Sequence, residues 1–173
     1  MAWTDVAGAL QSASATVVEG LLAPHRDEKL YAVALYAAED GMSVAVAANS
    51  EEQYRAHLAS EALAGANSPG DEVYYRWATS EWSLERWHSD LFAEANALIR
   101  GEDRRDFDRY REALIEAMIS ALAGVRESFG DRLADVTMFV SVTDSDEAEG
   151  IENDSAARLN PKGLADGFLS RFE

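Results

Sequence analysis

The chain has 173 residues, 47% hydrophobic and 27% charged, a length at which one compact domain buries about 70% of its unfolded surface. Thirty-two Asp and Glu against fifteen Lys and Arg give a formal net charge of −17, which repels phosphate backbones and anionic headgroups and argues against nucleic-acid or membrane partners. The absence of cysteine excludes disulfides, thiolate zinc sites, iron–sulfur clusters and cysteine nucleophiles, so any metal would have to rest on oxygen or imidazole.

From about Thr4 to Leu22, Val6, Leu10, Ala13, Val17 and Leu21 recur at steps of three and four, which predicts an amphipathic helix stopped by Pro24. Leu30 to Ala38 and Ser43 to Ala48 flank the turn residues Glu39-Asp40-Gly41 and predict a β-hairpin. Alanines interleave with larger residues on both faces, as in strands covered on both sides or packed closely under a helix. Asn49 or Ser50 can cap a helix over Glu51 to about Leu63, with the loop Gly65 to Gly70 behind it. Glu72 to Trp77, rich in Val and Tyr, predicts a third strand, and Thr79 or Ser80 then caps a helix to about Arg100.

The longest predicted helix runs from about Asp106 to Phe129, with Leu114, Met118, Leu122 and Val125 on a face widened by Ile115 and Ile119. Asp135 to Thr143 alternates Val136, Met138, Val140 and Val142 with Thr137, Phe139, Ser141 and Thr143, a strand that joins the sheet late. Asn160-Pro161 opens a final short helix. The order α, β, β, α, β, α, α, β, α predicts an α+β fold, with a mainly antiparallel sheet of about four strands packed against about five helices.

Tyr74 to Trp82 reads Tyr-Tyr-Arg-Trp-Ala-Thr-Ser-Glu-Trp, downstream of Leu30 to Tyr36, Gly41 to Val44 and Ala47 to Glu52, and upstream of Arg158 to Gly163. Together these pieces, in this order, resemble the bacterial family catalogued as domain of unknown function 4303. The resemblance covers nearly the whole chain, and because the family's activity is unknown it implies no catalytic residue set. Small acidic proteins of this size include antitoxin-like binders, an analogy of class alone.

Several surfaces offer chemistry. Tyr74, Tyr75, Trp77, Trp82 and Trp87 crowd three of the four tryptophans into fourteen residues. Such side chains serve as core pillars or as anchors of a protein interface, with Trp82 and Tyr74 the residues for the second role. On the helix predicted from Ser80, Glu81, Glu85 and His88 fall at steps of four and three and would share a face suited to a metal or to acid–base work. Paired histidines at helical spacing, a nucleophile elbow and phosphate-cradling glycines are missing, so no cofactor and no metal is expected. His25 and His57 have no evident partner in sequence.

Residues 144–154 carry six acidic side chains and no basic one. The segment begins like a calcium loop but has Ala148, Glu149 and Ser155 at the fifth, sixth and twelfth positions, which rules out an EF-hand. It reads as a solvated loop whose Asp144, Asp146, Glu147 and Glu149 would dock a basic partner. Residues 100–132, by contrast, hold seven arginines against eight acidic residues and are nearly neutral.

These features predict a non-catalytic protein-binding module of the immunity type, covering a basic partner through its acidic loop and an aromatic rim near Trp82. Two alternatives stay open: a small metal-assisted or acid–base enzyme near Glu81, Glu85 and His88, and an accessory subunit that pairs with its own copy, leaving monomer and homodimer both possible. The lack of any long apolar run or charged amino-terminal leader predicts a cytoplasmic location.

Overall fold

A computed structural model of the chain describes residues 3–23, 27–65 and 70–172. A three-stranded sheet organises them, in the order β2-β1-β3. Strands β1 (Leu30–Ala38) and β2 (Val44–Ser50) form the predicted antiparallel hairpin, and β3 (Thr137–Thr143) pairs with β1 in parallel. The hairpin turn depends on Gly41, at φ 62°, where a Cβ would lie 3.0 Å from the Tyr110 ring. Only glycine takes both that conformation and that approach without strain.

Both faces of the sheet are covered. On one, α1 (Trp3–Leu21), α4 (Ala93–Gly101) and α5 (Phe107–Phe129) pack their aliphatic stripes on Val33, Leu35, Val46, Met138 and Val140. On the other, α6 (Ala148–Leu159) and α7 (Lys162–Leu169), with Trp82, enclose Tyr31, Ala34, Ala47 and Phe139. A register shift at the start of β1 interrupts the pairing between Leu30 and Ala32; Leu30 joins the first core and its neighbour Tyr31 the second. Helix α2 (Glu51–Ala64) is capped by the Ser50 hydroxyl, which accepts from the Gln53 N–H at 3.1 Å, and α5 by Asp106, which accepts from the Arg109 N–H at 3.2 Å.

Side chains close both sheet edges. Asn96 accepts from the Val44 N–H at 2.7 Å and donates to the Val44 carbonyl at 3.0 Å. Asn160 does the same for Met138 on β3, at 2.8 and 2.7 Å, and Ser155 accepts from the Val140 N–H at 2.9 Å. Each asparagine amide thus imitates one residue of a further strand, satisfying groups that would otherwise template pairing with another chain.

Four expectations are corrected. The sheet is mixed and three-stranded, with seven α-helices among the described residues, where a mainly antiparallel sheet of four strands and five helices was predicted. The predicted strand at Glu72 to Trp77 is helix α3 (Asp71–Trp77), whose first-turn carboxylates suit a helix amino end, and packing overrides the β-propensity of Val and Tyr. The helix predicted from Ser80 to Arg100 is broken by left-handed backbone at Arg86 (φ 54°) and His88 (φ 52°), so that α-helix begins only at Ala93. The acidic stretch predicted as a loop is mostly helix α6, with Glu147 and Glu149 at its positive end. The helix stop assigned to Pro24 and the interior of the loop predicted over Gly65 to Gly70 lie outside the described residues.

Candidate functional site

A cleft of about 630 Å³ opens at the carboxyl ends of β1 and β3, on the second face. Carboxyl ends of parallel strands are where open α/β sheets gather ligands, and the volume suits a small molecule. Its floor is one row of the sheet, Ala45, Tyr36 and Ser141, which are register partners across the three strands. One wall is α6 with Ala148 and Glu152; the other is the irregular chain through Thr79, Glu85 and Arg86.

Each hydroxyl of the floor holds a carboxylate. Tyr36 donates to Glu85 Oε1 at 2.9 Å, and Ser141 donates to Glu152 Oε1 at 2.7 Å. Burial first, and then the Glu85 carboxylate, push the Tyr36 phenol well above the ordinary tyrosine range, so it stays a neutral donor. Behind Glu152 lies Arg171, its side chain 1% exposed, which donates to Glu152 Oε2 at 2.9 Å and to Asn153 Oδ1 at 2.5 Å and sits 3.8 Å over the Phe168 ring. Burial raises the Glu152 carboxyl and lowers the Arg171 guanidinium, so their pairing opposes a desolvation cost that both carry.

A second concavity, about 650 Å³ and widely open, runs between α5 and α6. Ile115 and Ile151 give it apolar surface, and Asp146, Glu147, Glu149 and Asp154 give it carboxylates. Glu147 accepts from Arg111, and Asp154 accepts from Arg158 at 3.2 Å, while Arg158 also holds Glu116 at 2.6 Å. Asp146 and Glu149 have no ion pair among the described residues. A Cβ added at Gly150, beside them, would meet nothing within 4 Å.

The residues singled out in sequence separate between these places. Trp82 is 2% exposed and donates its indole N–H to the Arg76 carbonyl at 3.1 Å, packed edge-on against Tyr31 and Phe139. It belongs to the second core and offers no surface to a partner, because the broken helix turns it inward. Tyr74 is 49% exposed at the cleft mouth and donates to Glu81 at 3.2 Å. Asp144 lines the cleft, whereas Asp146, Glu147 and Glu149 line the α5–α6 groove.

Glu81, Glu85 and His88 do not share a helical face, since the chain between them is turns. His88 instead packs edge-on against Trp87 at 4.2 Å, and among the described residues no group of three or more His, Asp or Glu side chains converges to hold a metal. His57 packs on the Tyr75 ring at 4.7 Å; His25 lies outside the described residues. Tyr36, Ser141, Glu152, Arg86 and Arg171 were not singled out in sequence, and only Glu152, inside the acidic run, carried any signal.

An α+β chain with a mixed three-stranded sheet and a polar cleft at its strand ends is the class that these observations define. Residues 10–161 match the family described as Domain of unknown function (DUF4303), and the chain belongs to that family. No curated protein and no solved structure matches it. Among the described residues, no helix is long and apolar enough to cross a membrane.

Proposed function

We propose that this chain is a non-catalytic protein-binding module of the immunity type, which covers a basic partner protein through the groove between α5 and α6. The observation that carries this reading is the joining of apolar and acidic surface there: Ile115 and Ile151 lie beside Asp146, Glu147, Glu149 and Asp154. Apolar floor supplies affinity, and unneutralised rim charge steers a cationic segment into register. Within residues 144–154, three carboxylates are already held by arginines: Glu147 by Arg111, Glu152 by Arg171 and Asp154 by Arg158. The docking charge therefore rests on Asp146 and Glu149 in the groove, with Asp144 at the neighbouring cleft.

The test uses a partner that co-purifies with the chain, isolated and titrated as a defined pair. Association should slow steeply with added salt, and Asp146→Lys with Glu149→Lys should slow it further in a folded protein, the melting temperature falling only slightly as Glu149 leaves the positive end of α6. At Gly150 a Cβ meets nothing within 4 Å, so Gly150→Leu places apolar bulk in the groove and should abolish binding in a folded protein. A complex indifferent to salt and to Gly150→Leu would overturn the reading.

A further inference from the structure

We propose that the cleft at the carboxyl ends of β1 and β3 binds a small zwitterion, a molecule bearing an ammonium and a carboxylate as an amino acid does. This site lies beside the α5–α6 groove, shares only Asp144 with the docking charge, and does not rest on partner binding.

The cleft is lined by exposed charges of both signs that lack counter-charges of their own among the described residues. Glu85 is held only by the Tyr36 hydroxyl there, and its second oxygen takes no hydrogen bond from them. Asp144 lines the same space and makes no ion pair with any described residue. The Arg86 guanidinium has neither hydrogen bond nor ion pair among the described residues, although it follows Glu85 in the chain. Both act on the Tyr36 phenol in opposite senses, Glu85 raising it and Arg86 lowering it. Glu152, on the facing wall, is in contrast already matched by Arg171.

The backbone holds this arrangement. Arg86 sits at φ 54°, with its N–H donating to the Val46 carbonyl at 3.0 Å, and Asp144 sits at φ 60°. Left-handed backbone is uncommon for residues other than glycine and collects at ligand sites. Here it fixes two oppositely charged residues in the cleft's lining, one after β3 and one beside β2.

Electrostatics then selects among ligands. A simple anion meets Glu85, Asp144 and the field of a chain with net charge −17, and a simple cation gains nothing from Arg86 and is repelled by it. A neutral sugar matches none of the three charges. A zwitterion places its ammonium at Glu85 and Asp144 and its carboxylate at Arg86, and the hydroxyls of Thr79 and Ser89 in the lining can take a polar side chain.

The experiment is a nitrogen–proton NMR titration of the full chain with each neutral protein amino acid, alongside ethanolamine as cation alone, acetate as anion alone and glucose as neutral polyol. We expect at least one amino acid to shift the amides of Thr79, Arg86 and Thr143 saturably, with affinity at least about tenfold above the three controls. Glu85→Gln and Arg86→Gln should each weaken that binding by about tenfold or more, with melting temperatures showing both variants folded. The absence of saturable shifts from every amino acid, equal binding of any of the three controls, or unchanged binding by a folded Arg86→Gln protein would overturn the proposal.

Discussion

The two faces of the sheet are built by different chemistry. Under α1, α4 and α5 the core is aliphatic, formed by long helices whose stripes repeat at helical spacing, such as Val6, Leu10 and Val17 against Leu114, Met118 and Leu122. Under α6 and α7 it is aromatic and ionic. Trp82 meets Phe139 edge to face and Phe168 leans on the same ring, while Arg171 caps Phe168, and Arg76 lies 4.2 Å over the Tyr31 ring and pairs with Glu51 at 2.7 Å. The first face buries area without needing partners. The second holds charges that must stay paired, and it is the face that leaves a polar cleft open. The short segments of this core leave the carboxyl ends of β1 and β3 open as the polar cleft.

The largest effect should come from breaking an ion pair on the second face. Arg171→Met leaves the half-buried Glu152 without its cation and strips Phe168 of its covering guanidinium, and should cost about 3 kcal/mol, read as a shift of the urea midpoint. Combining it with Glu152→Gln should recover much of that loss; if single and double variants are equally unstable, packing of Arg171 on Phe168 outweighs its charge. On the first face, Leu122→Ala should cost about 3 kcal/mol through a cavity alone, with no recovery from any charge change.

The edge that borders both faces gives a smaller test. Asn96→Ala strips the Val44 N–H and carbonyl of their partner and should cost about 1–2 kcal/mol. It should also make the sedimentation coefficient rise with concentration as β2 pairs with another chain.

The smallest effect is a pair of opposed pH dependences, both on the second face. Glu152 has its carboxyl raised by burial, so its contribution is full below the ordinary value of 4.5 and is lost as pH rises through the raised value. Glu51 has its carboxyl lowered, chiefly by the hydrogen bond from Arg76, so its contribution is full above 4.5 and is lost as pH falls. Thermal melts across mildly acid pH should show Glu152→Gln removing the first dependence and Glu51→Gln the second, while Leu122→Ala alters neither.

Legibility divides along the same line. The helices ending at Leu21 and Phe129, the hairpin about Gly41 and the strand ending at Thr143 are readable because each repeats its apolar residues at one period over many positions. The second face is misread at Glu72 to Trp77, where a seven-residue helix is too short for its period to outweigh the strand preference of Val and Tyr. Acidity hides α6, since carboxylates at a helix amino end look like a solvated loop when the helix dipole is not seen. Of the cleft, sequence reasoning reaches only Glu85 and Asp144, with Tyr74 at its mouth.

Composition and periodicity determined the features that local chemistry sets: an acidic, cysteine-free α+β chain with an amphipathic first helix, a hairpin and a long helix ending at Phe129. Tertiary structure decided that Trp82 points inward, that Asn96 and Asn160 seal the sheet, and that Arg171 returns to Glu152. The physical reason is that a period records which side of an element avoids water, whereas a pairing between residues far apart in sequence depends on where two elements cross.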